Sequence, residues 1–191
     1  MPKVGMEPLR RASLVEATIS EIGRARSLDV TVGQIAKAAG MSTALAHHYF
    51  GGKDQIFFAA MRHILVEYGV EVRTALAGTQ TPRERAEAIV RANFAQTCFT
   101  PETICAWMSL YAAASKGGRM QRLLRLYQGR LRSNLRHALR PISAQPEADA
   151  ETLAALIDGL YLRAALSEAA TADDARNAAM SILDLLLDMP K

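Results

Sequence analysis

The sequence contains few cysteines and no long apolar run. Only Cys98 and Cys105 occur among 191 residues, and no C-x-x-C pair is present. A chain of this length can bury a core without disulfides, so reduced thiols are expected. No window reaches the run of about 18 apolar residues that a membrane span requires. The N-terminus has no apolar stretch followed by a cleavage site. These absences predict a cytoplasmic protein without a membrane segment.

Sequence motifs of catalysis are also missing. The chain has no P-loop, no G-x-G-x-x-G, no nucleophile elbow and no H-E-x-x-H. His47 and His48 are adjacent, so on a helix their side chains diverge by about 100° and do not form a metal pair. Neither cysteine has a neighbouring base that would activate it as a nucleophile. We therefore expect no enzymatic activity, no catalytic residue, no metal and no cofactor.

Acidic residues are absent from residues 103–146, although the formal net charge of the whole chain is only +4. Nine acidic residues follow this segment. The segment itself carries eight basic residues, Lys116, Arg119, Arg122, Arg125, Arg130, Arg132, Arg136 and Arg140. Basic patches bind nucleic acid by neutralising phosphates. A solvated face, or pairing with the acidic C-terminal helices, would give the same pattern, and both interpretations remain open.

Residues 31–53, TVGQIAKAAGMSTALAHHYFGGK, predict two short helices joined by a tight turn. Thr31 and Ser42 are suitable N-caps, because their hydroxyls accept hydrogen bonds from early N–H groups. Gly40 provides the permissive backbone of a sharp helix end. The predicted helices cover residues 32–39 and 43–49. This arrangement predicts a helix-turn-helix whose second helix enters a major groove.

The second of these helices has a polar face that favours this interpretation. Thr43, His47 and His48 are expected to point away from the core, where they suit groove and phosphate contacts. The apolar side chains expected beneath them are Ile35, Ala36, Leu45 and Phe50. A surface helix of any small helical domain, with solvated histidines, is the alternative.

The other predicted elements are all helices. A flexible arm over residues 1–9 precedes helices at 9–26, 54–76, 82–97 and 101–115. A basic helix then ends before Pro141, and the last two helices cover residues 148–169 and 173–189. Apolar stripes on those two helices suit either a four-helix bundle with a second chain or burial within one chain. No internal repeat or strand pattern is present.

Two segments of this region carry a family signature. TVGQIAKAAGMS begins at residue 31, and HHYFGGKDQI begins at residue 47. In order and spacing they resemble the DNA-binding signature of the TetR family of bacterial repressors. More narrowly, the run ALAHHYFGGKDQIF and the opening MPKVGMEPLRR resemble the BetI group of choline-responsive repressors of glycine betaine synthesis.

The resemblance implies an all-α homodimer that binds double-stranded operator DNA. Residues 1–53 would form an N-terminal three-helix bundle with the helix-turn-helix, and residues 54–191 a larger ligand-binding and dimerisation domain. Ala46 and His47 stand where Leu-Tyr is frequent in the family, so base contacts and operator sequence stay open. The residues implied for DNA binding are Thr31, Val32, Ser42, Thr43, Ala44, His47, His48, Tyr49 and Lys53.

Aromatic residues in the second half are candidates for a ligand pocket. A quaternary ammonium has no proton to donate, so aromatic ring faces and a nearby carboxylate would hold it. The candidates are Phe94, Trp107, Tyr111, Tyr161 and Asp158, with Glu102 as a second carboxylate. Spacing alone is equally typical of core aromatics, and the choice of a choline-like cation rests on the resemblance.

The resulting hypothesis is a repressor of glycine betaine synthesis genes that choline or betaine aldehyde releases from its operator. The first alternative is a TetR-type regulator of another pathway, such as efflux, that senses a different cationic or hydrophobic ligand. The second is a helical ligand-binding or catalytic protein in which the N-terminal motif is coincidental.

Overall fold

The computed structural model describes residues 5–27, 29–167 and 169–188, and these residues form nine α-helices without a strand. The all-α prediction is therefore confirmed. The helices in chain order are α1 (Met6–Ala25), α2 (Val32–Ala38), α3 (Thr43–Phe50), α4 (Lys53–Ala77), α5 (Pro82–Asn93), α6 (Pro101–Ala114), α7 (Gly118–Leu139), α8 (Pro146–Leu166) and α9 (Ala172–Asp188).

Several predicted helix ends were wrong. The first helix begins at Met6, so residues 6–9 are helical and do not belong to an arm. Pro8 is tolerated there because the N–H groups of a first helical turn have no intrahelical acceptor. The predicted helix 82–97 ends at Asn93, and α8 begins at Pro146, two residues earlier than expected. The predicted helix 148–169 ends at Leu166. Residues 1–4 of the predicted arm, Leu28 in the first interhelical loop, Glu168 and Met189 lie outside the described residues.

The helix-turn-helix has the predicted caps. The Thr31 hydroxyl accepts from the Gln34 N–H at 3.2 Å, and the Gln34 side chain accepts from the Thr31 N–H at 2.8 Å. These two bonds form a capping box. Ser42 caps α3 by accepting from the Leu45 N–H at 3.2 Å. Gly40 has a φ of 66°, a left-handed conformation that glycine adopts without steric cost. Local residue chemistry alone therefore places both helix starts and the turn.

The small core of this N-terminal region differs from prediction in one helix. Ile35 and Ala36 of α2 are buried as expected, but Leu45 and Phe50 of α3 are only partly buried. Ala46 is fully buried instead. Its single methyl group lets α3 lie close against α2, and a larger side chain at this position would hold the two helices apart.

Helix α4 connects this region to the remaining helices. Its predicted apolar stripe is buried throughout, and the helix contacts α1 and α3 of the N-terminal region as well as α5, α6 and α7. The stripe consists of Ile56, Phe57, Ala60, Ile64 and Tyr68. A movement of α4 would therefore change packing contacts both in the N-terminal region and among the remaining helices. The domain boundary between residues 53 and 54 remains a prediction.

A second connection joins α1 to the start of α6. Gly23 packs so closely against Glu102 that a Cβ atom at this position would lie 2.7 Å from the Glu102 Cα atom. Glycine is required by this close approach of two backbones, because any side chain would force the helices apart. Glu102, considered above as a ligand carboxylate, thus packs against the N-terminal region.

The basic helix α7 pairs in part with the acidic C-terminal helices. Arg132 lies 3.2 Å from the Glu151 carboxylate of α8, and Arg119 lies over the Phe58 ring at 5.0 Å. The Arg132 contact agrees with the pairing interpretation of the Arg-rich segment. Both partners are exposed, so the pair adds little stability.

Among the described residues, no helix has the length and apolarity needed to cross a bilayer.

Candidate nucleic-acid interface and ligand cavity

One face of α3 is fully accessible. Thr43, Ala44, His47 and His48 are exposed, whereas Tyr49 is partly buried. The buried face of α3 is limited to Ala46, so the helix projects most of its circumference outward. A helix with short and polar exposed side chains and no acidic residue can approach a duplex closely. The face predicted to contact DNA is therefore free to do so.

His47 is partly committed to its own backbone. Its Nδ1 lies 3.1 Å from the Gly51 carbonyl oxygen. Because a carbonyl can only accept, Nδ1 must carry the proton, which leaves Nε2 as an acceptor in the neutral ring. Gly51 has a φ of 79°, and this left-handed turn brings its carbonyl back to the histidine. The contact fixes the ring orientation and presents one nitrogen outward.

Two arginines of α1 hold the C-terminal end of α3. The Arg10 guanidinium donates to the Tyr49 hydroxyl at 3.3 Å. Arg11 lies over the Tyr49 and Phe50 rings at 5.6 and 5.1 Å and also pairs with Glu7 at 2.8 Å. Basic side chains that follow an N-terminal arm could equally contact phosphates. Because α1 already includes them, they brace α3, which the sequence pattern did not reveal.

The remaining predicted DNA-binding residues are at helix starts. Thr31 and Ser42 are exposed, and each hydroxyl already caps a helix; Val32 is partly buried in the first turn of α2. Lys53 is the exposed first residue of α4, and no ion pair includes it in the described part of the chain. The N-terminus of a long helix is positive by its dipole, so Lys53 adds charge where an anion is already favoured. Their DNA-binding roles remain predictions.

A cavity of about 120 Å³ is lined by residues of α1, α4, α5, α6, α7 and α8 and of the segment after α5. Four aromatic side chains form much of its wall, Tyr68, Trp107, Tyr127 and Tyr161. Two of them, Trp107 and Tyr161, were predicted from the sequence. Phe94, Tyr111 and Asp158 are not part of the wall, and their ligand-binding roles remain predictions.

The aromatic side chains form one connected cluster. Trp107 and Tyr127 have ring centroids 4.4 Å apart, and Tyr68 meets Tyr127 edge-on at 5.5 Å. Tyr111 contacts Trp107 at 6.3 Å. Phe94 lies 6.1 Å from the Tyr161 ring. Phe94 and Tyr111 therefore support the wall from behind, where they fix the orientation of the rings that face the cavity.

Asp158 is engaged within the protein. Its carboxylate accepts from the Gln128 amide at 3.4 Å and from the Tyr111 hydroxyl. Burial raises the pKa of Asp158, and these two hydrogen bonds oppose the rise. The carboxylate at the cavity is instead Glu67 of α4, which the sequence reading missed. The signal was present, since residues 63, 64, 67 and 68 share one helix face.

Tyr161 ties α8 to the segment after α5. Its hydroxyl lies 2.5 Å from the Asn93 carbonyl oxygen and 3.1 Å from that of Cys98. Cys98 is buried and reduced, and burial raises the pKa of its thiol, so neither thiolate nor disulfide chemistry is supported there. The Tyr161 hydroxyl is therefore engaged by main-chain oxygens, while its side chain lines the cavity.

Comparisons with known proteins agree with this architecture. A family model described as "Bacterial regulatory proteins, tetR family" matches residues 14–60. A second, described as "BetI-type transcriptional repressor, C-terminal", matches residues 82–188. The first includes the helix-turn-helix, and the second includes most of the cavity wall.

Curated relatives match nearly the whole chain. The HTH-type transcriptional regulator BetI of Brucella anthropi is 51% identical over 184 residues, which cover 95% of this chain and 92% of that protein. The BetI regulator of Rhizobium meliloti is 46% identical over 171 residues, covering 88% and 84%.

Solved structures have the same fold. A transcriptional regulator from Pseudomonas aeruginosa PAO1 aligns with a TM-score of 0.78 at 26% identity and covers 94% of this chain and 90% of that one. A regulator from Saccharomonospora viridis, solved in complex with choline, aligns with a TM-score of 0.77 at 20% identity and covers 91% and 95%. The TetR regulators, which are not enzymes, bind operator DNA and small-molecule effectors and act as dimers. The chain belongs to this TetR family of bacterial transcriptional regulators and has a BetI-type C-terminal repressor domain.

Proposed function

We propose that this chain is a homodimeric, cytoplasmic repressor of glycine betaine synthesis genes, released from its operator by choline or betaine aldehyde. The observation that carries the proposal is the aromatic cavity between α4 and the region that matches the BetI-type domain, with Glu67 of α4 at its wall. Relatives named HTH-type transcriptional regulator BetI, at 46–51% identity, support a transcriptional regulator of this type.

The cavity has the chemistry that a small quaternary ammonium requires. The faces of Trp107, Tyr127 and Tyr161 supply negative electrostatic potential, and each desolvated cation–π contact is worth roughly 0.5–2 kcal/mol. Glu67 adds a carboxylate. An engineered cavity of about 150 Å³ accepts benzene, so the volume of about 120 Å³ here suits a compact cation. The choline complex of the Saccharomonospora viridis regulator supports this ligand class for the fold.

DNA binding is assigned to the exposed surface around α3. Thr43, Ala44, His47 and His48 would lie nearest the base edges. The phosphate contacts would come from Thr31, Tyr49 and Lys53, with Val32 and Ser42 at the neighbouring helix starts. In a dimer, two such helices would enter successive major grooves about 34–36 Å apart.

Dimerisation is assigned to α8 and α9. Leu162, Leu166 and Leu185 are 50%, 81% and 62% exposed in the single chain. Leucines exposed to this degree on two neighbouring helices suit a four-helix bundle with a second copy, which would cover them. Such a bundle would hold the two α3 helices at a defined separation.

The cavity is connected to the DNA-binding surface through α4 and α1. Tyr68 and Glu67 lie on the helix that begins with Lys53, and Ile19 of α1 also lines the cavity. A ligand that binds more tightly when α4 is displaced would shift the dimer towards a state with a different separation of its two α3 helices. That separation would no longer match successive major grooves.

The test is an electrophoretic mobility shift with the DNA upstream of the protein's own gene. The protein should retard this DNA in the absence of choline and release it when choline is added. Retardation that choline and betaine aldehyde leave unchanged would reject the effector, and no retardation would reject operator binding. A thermal-shift series with larger cations and apolar ligands would identify an efflux-type regulator in that case.

A further inference from the structure

The hydroxyl group of Tyr68 is buried without a hydrogen-bond partner in the described part of the chain. The residue is only 8% exposed. Buried hydroxyl groups are almost always hydrogen-bonded, because an unsatisfied one loses its bonds to water and gains nothing in return. A buried hydroxyl without a partner on a cavity wall can therefore form its hydrogen bond with a bound ligand.

The surroundings of this hydroxyl place it on the cavity side of α4. Tyr68 lines the cavity together with Asn93 and Cys98; the Asn93 side chain, as a hydrogen-bonding neighbour, lowers the pKa of Tyr68, and the charge of Cys98 raises it. The Asn93 amide donates to the Ile89 carbonyl oxygen at 2.8 Å, and the Tyr68 hydroxyl has no hydrogen bond of regular geometry within the described residues. The equivalent group of Tyr161 is already bound to main-chain oxygens. Of these two tyrosines, Tyr68 has the hydroxyl that is left for a ligand.

The hydroxyl is also held in its donor form. Burial raises the pKa of Tyr68 far above its usual value, and the negative charge of Asp158 adds to the rise. The proton therefore stays on the oxygen at any physiological pH. The Tyr127 ring contacts Tyr68 edge-on at 5.5 Å, so the side chain has little freedom to turn towards water.

We infer that Tyr68 donates a hydrogen bond to the oxygen atom of the effector, and that it thereby selects an oxygen-bearing quaternary ammonium over a purely hydrocarbon one. The inference rests on the proposed function and adds to it separate roles for the aromatic rings and for the Tyr68 hydroxyl. The rings of Trp107, Tyr127 and Tyr161 hold the cationic end, which cannot form hydrogen bonds of its own. The Tyr68 hydroxyl donates a hydrogen bond to the other end, which is either the hydroxyl oxygen of choline or the carbonyl oxygen of betaine aldehyde.

A site of this kind discriminates strongly for a physical reason. A ligand without the oxygen would occupy the cavity but leave the buried Tyr68 hydroxyl without a hydrogen-bond partner. Sites built to hydrogen-bond a ligand group reject analogues that lack it more effectively than apolar pockets reject an extra group. The Tyr68 hydroxyl would therefore favour the ligand that carries the oxygen.

The experiment compares two proteins and two ligands by calorimetric titration of the full-length chain. The proteins are the wild type and Tyr68→Phe. The ligands are choline and propyltrimethylammonium, which has nearly the same shape but carries a methyl group in place of the hydroxyl. We expect Tyr68→Phe to weaken choline binding by roughly three- to tenfold, the range of one net hydrogen bond. Binding of propyltrimethylammonium should be unchanged or slightly tighter.

The melting temperature of the ligand-free variant gives an independent readout. If the hydroxyl has no partner, Tyr68→Phe should melt at the same or a higher temperature than the wild type, since no hydrogen bond is lost. A lower melting temperature would mean that the hydroxyl already serves the fold, and it would overturn the inference. Equal changes in the affinity for both ligands would also overturn it, because they would indicate a packing role for the ring.

The outcome for the wild type separates this inference from the proposed function. If the wild type binds choline and the variant binds it equally well, the role of Tyr68 is rejected and the proposed function stands. If the wild type binds neither ligand and its operator complex ignores choline, the proposed effector is rejected and the inference with it.

Discussion

Replacing Lys53 with alanine removes one exposed positive charge from the first turn of α4 in each subunit. Because the side chain forms no ion pair in the described part of the chain, its loss leaves no acidic partner unpaired. Alanine is also a good helix former, so α4 should begin at the same residue. The perturbation is therefore close to a pure change of charge beside the proposed phosphate contact.

The expected effect follows from counterion release. Each neutralised phosphate contributes about 0.9 to the slope of log affinity against log salt concentration, so two subunits should lower the slope by about 1.8. Over a fourfold change, from about 50 to about 200 mM salt, this corresponds to a difference of about twelvefold. The affinity deficit of the variant should thus be large at low salt and shrink by that factor at high salt.

The assay is operator binding by fluorescence anisotropy at several salt concentrations, with an unrelated duplex measured in parallel. A phosphate contact predicts the same change in slope on both duplexes, since phosphates carry no sequence information. Lys116→Ala is the matched control, because Lys116 is exposed in the turn between α6 and α7, outside the helix-turn-helix. An unchanged slope for Lys53→Ala, or an equal change for the control, would refute the reasoning.

Three further predictions address the ligand, the cap and a buried carboxylate. Trp107→Ala should abolish or strongly weaken release by choline while operator binding persists, measured by mobility shift; normal release would remove Trp107 from the ligand site. Thr31→Ala should lower stability by about 1 kcal/mol because the capping box is lost, whereas Thr31→Ser should keep it, as thermal unfolding will report; equal melting temperatures for all three proteins would contradict the cap. Burial raises the folded-state pKa of Asp158, so its charged form destabilises the fold and wild-type stability falls as the pH rises through the raised value. The difference in melting temperature between Asp158→Asn and wild type should consequently move in favour of the variant from acidic to neutral pH, and a constant difference would argue against the shift.

Most of the helix-turn-helix could be predicted from the sequence because its determinants are local. The capping and turn residues act on backbone groups no more than four residues away, so their effect can be predicted without knowing the fold. These residues are Thr31, Gln34, Gly40 and Ser42. The buried stripe of α4 was similarly visible from its period. Helix ends without such markers could not be predicted from the sequence. Helix α5 ends at Asn93, although residues 93–97 include no glycine or proline that would indicate a helix end.

Contacts between distant segments were beyond any pattern in the sequence. Arg10 and Arg11 contact the end of α3 only because α1 packs against α2 and α4, and the close approach of Gly23 to Glu102 depends on how α1 meets α6. Each of these residues has several plausible roles when considered from the sequence alone, and the packing of the helices determines which role it has.

The sequence by itself determined the helical plan, the caps and turn of the helix-turn-helix, and the family to which these motifs point. Only the tertiary structure decided which aromatic side chains meet in one cavity, that Glu67 and not Asp158 lies at its wall, and that the Tyr68 hydroxyl has no partner among the described residues. The reason is geometric: a helical period defines which face a residue occupies, but the neighbour of that face is chosen by the packing of helices far apart in the chain.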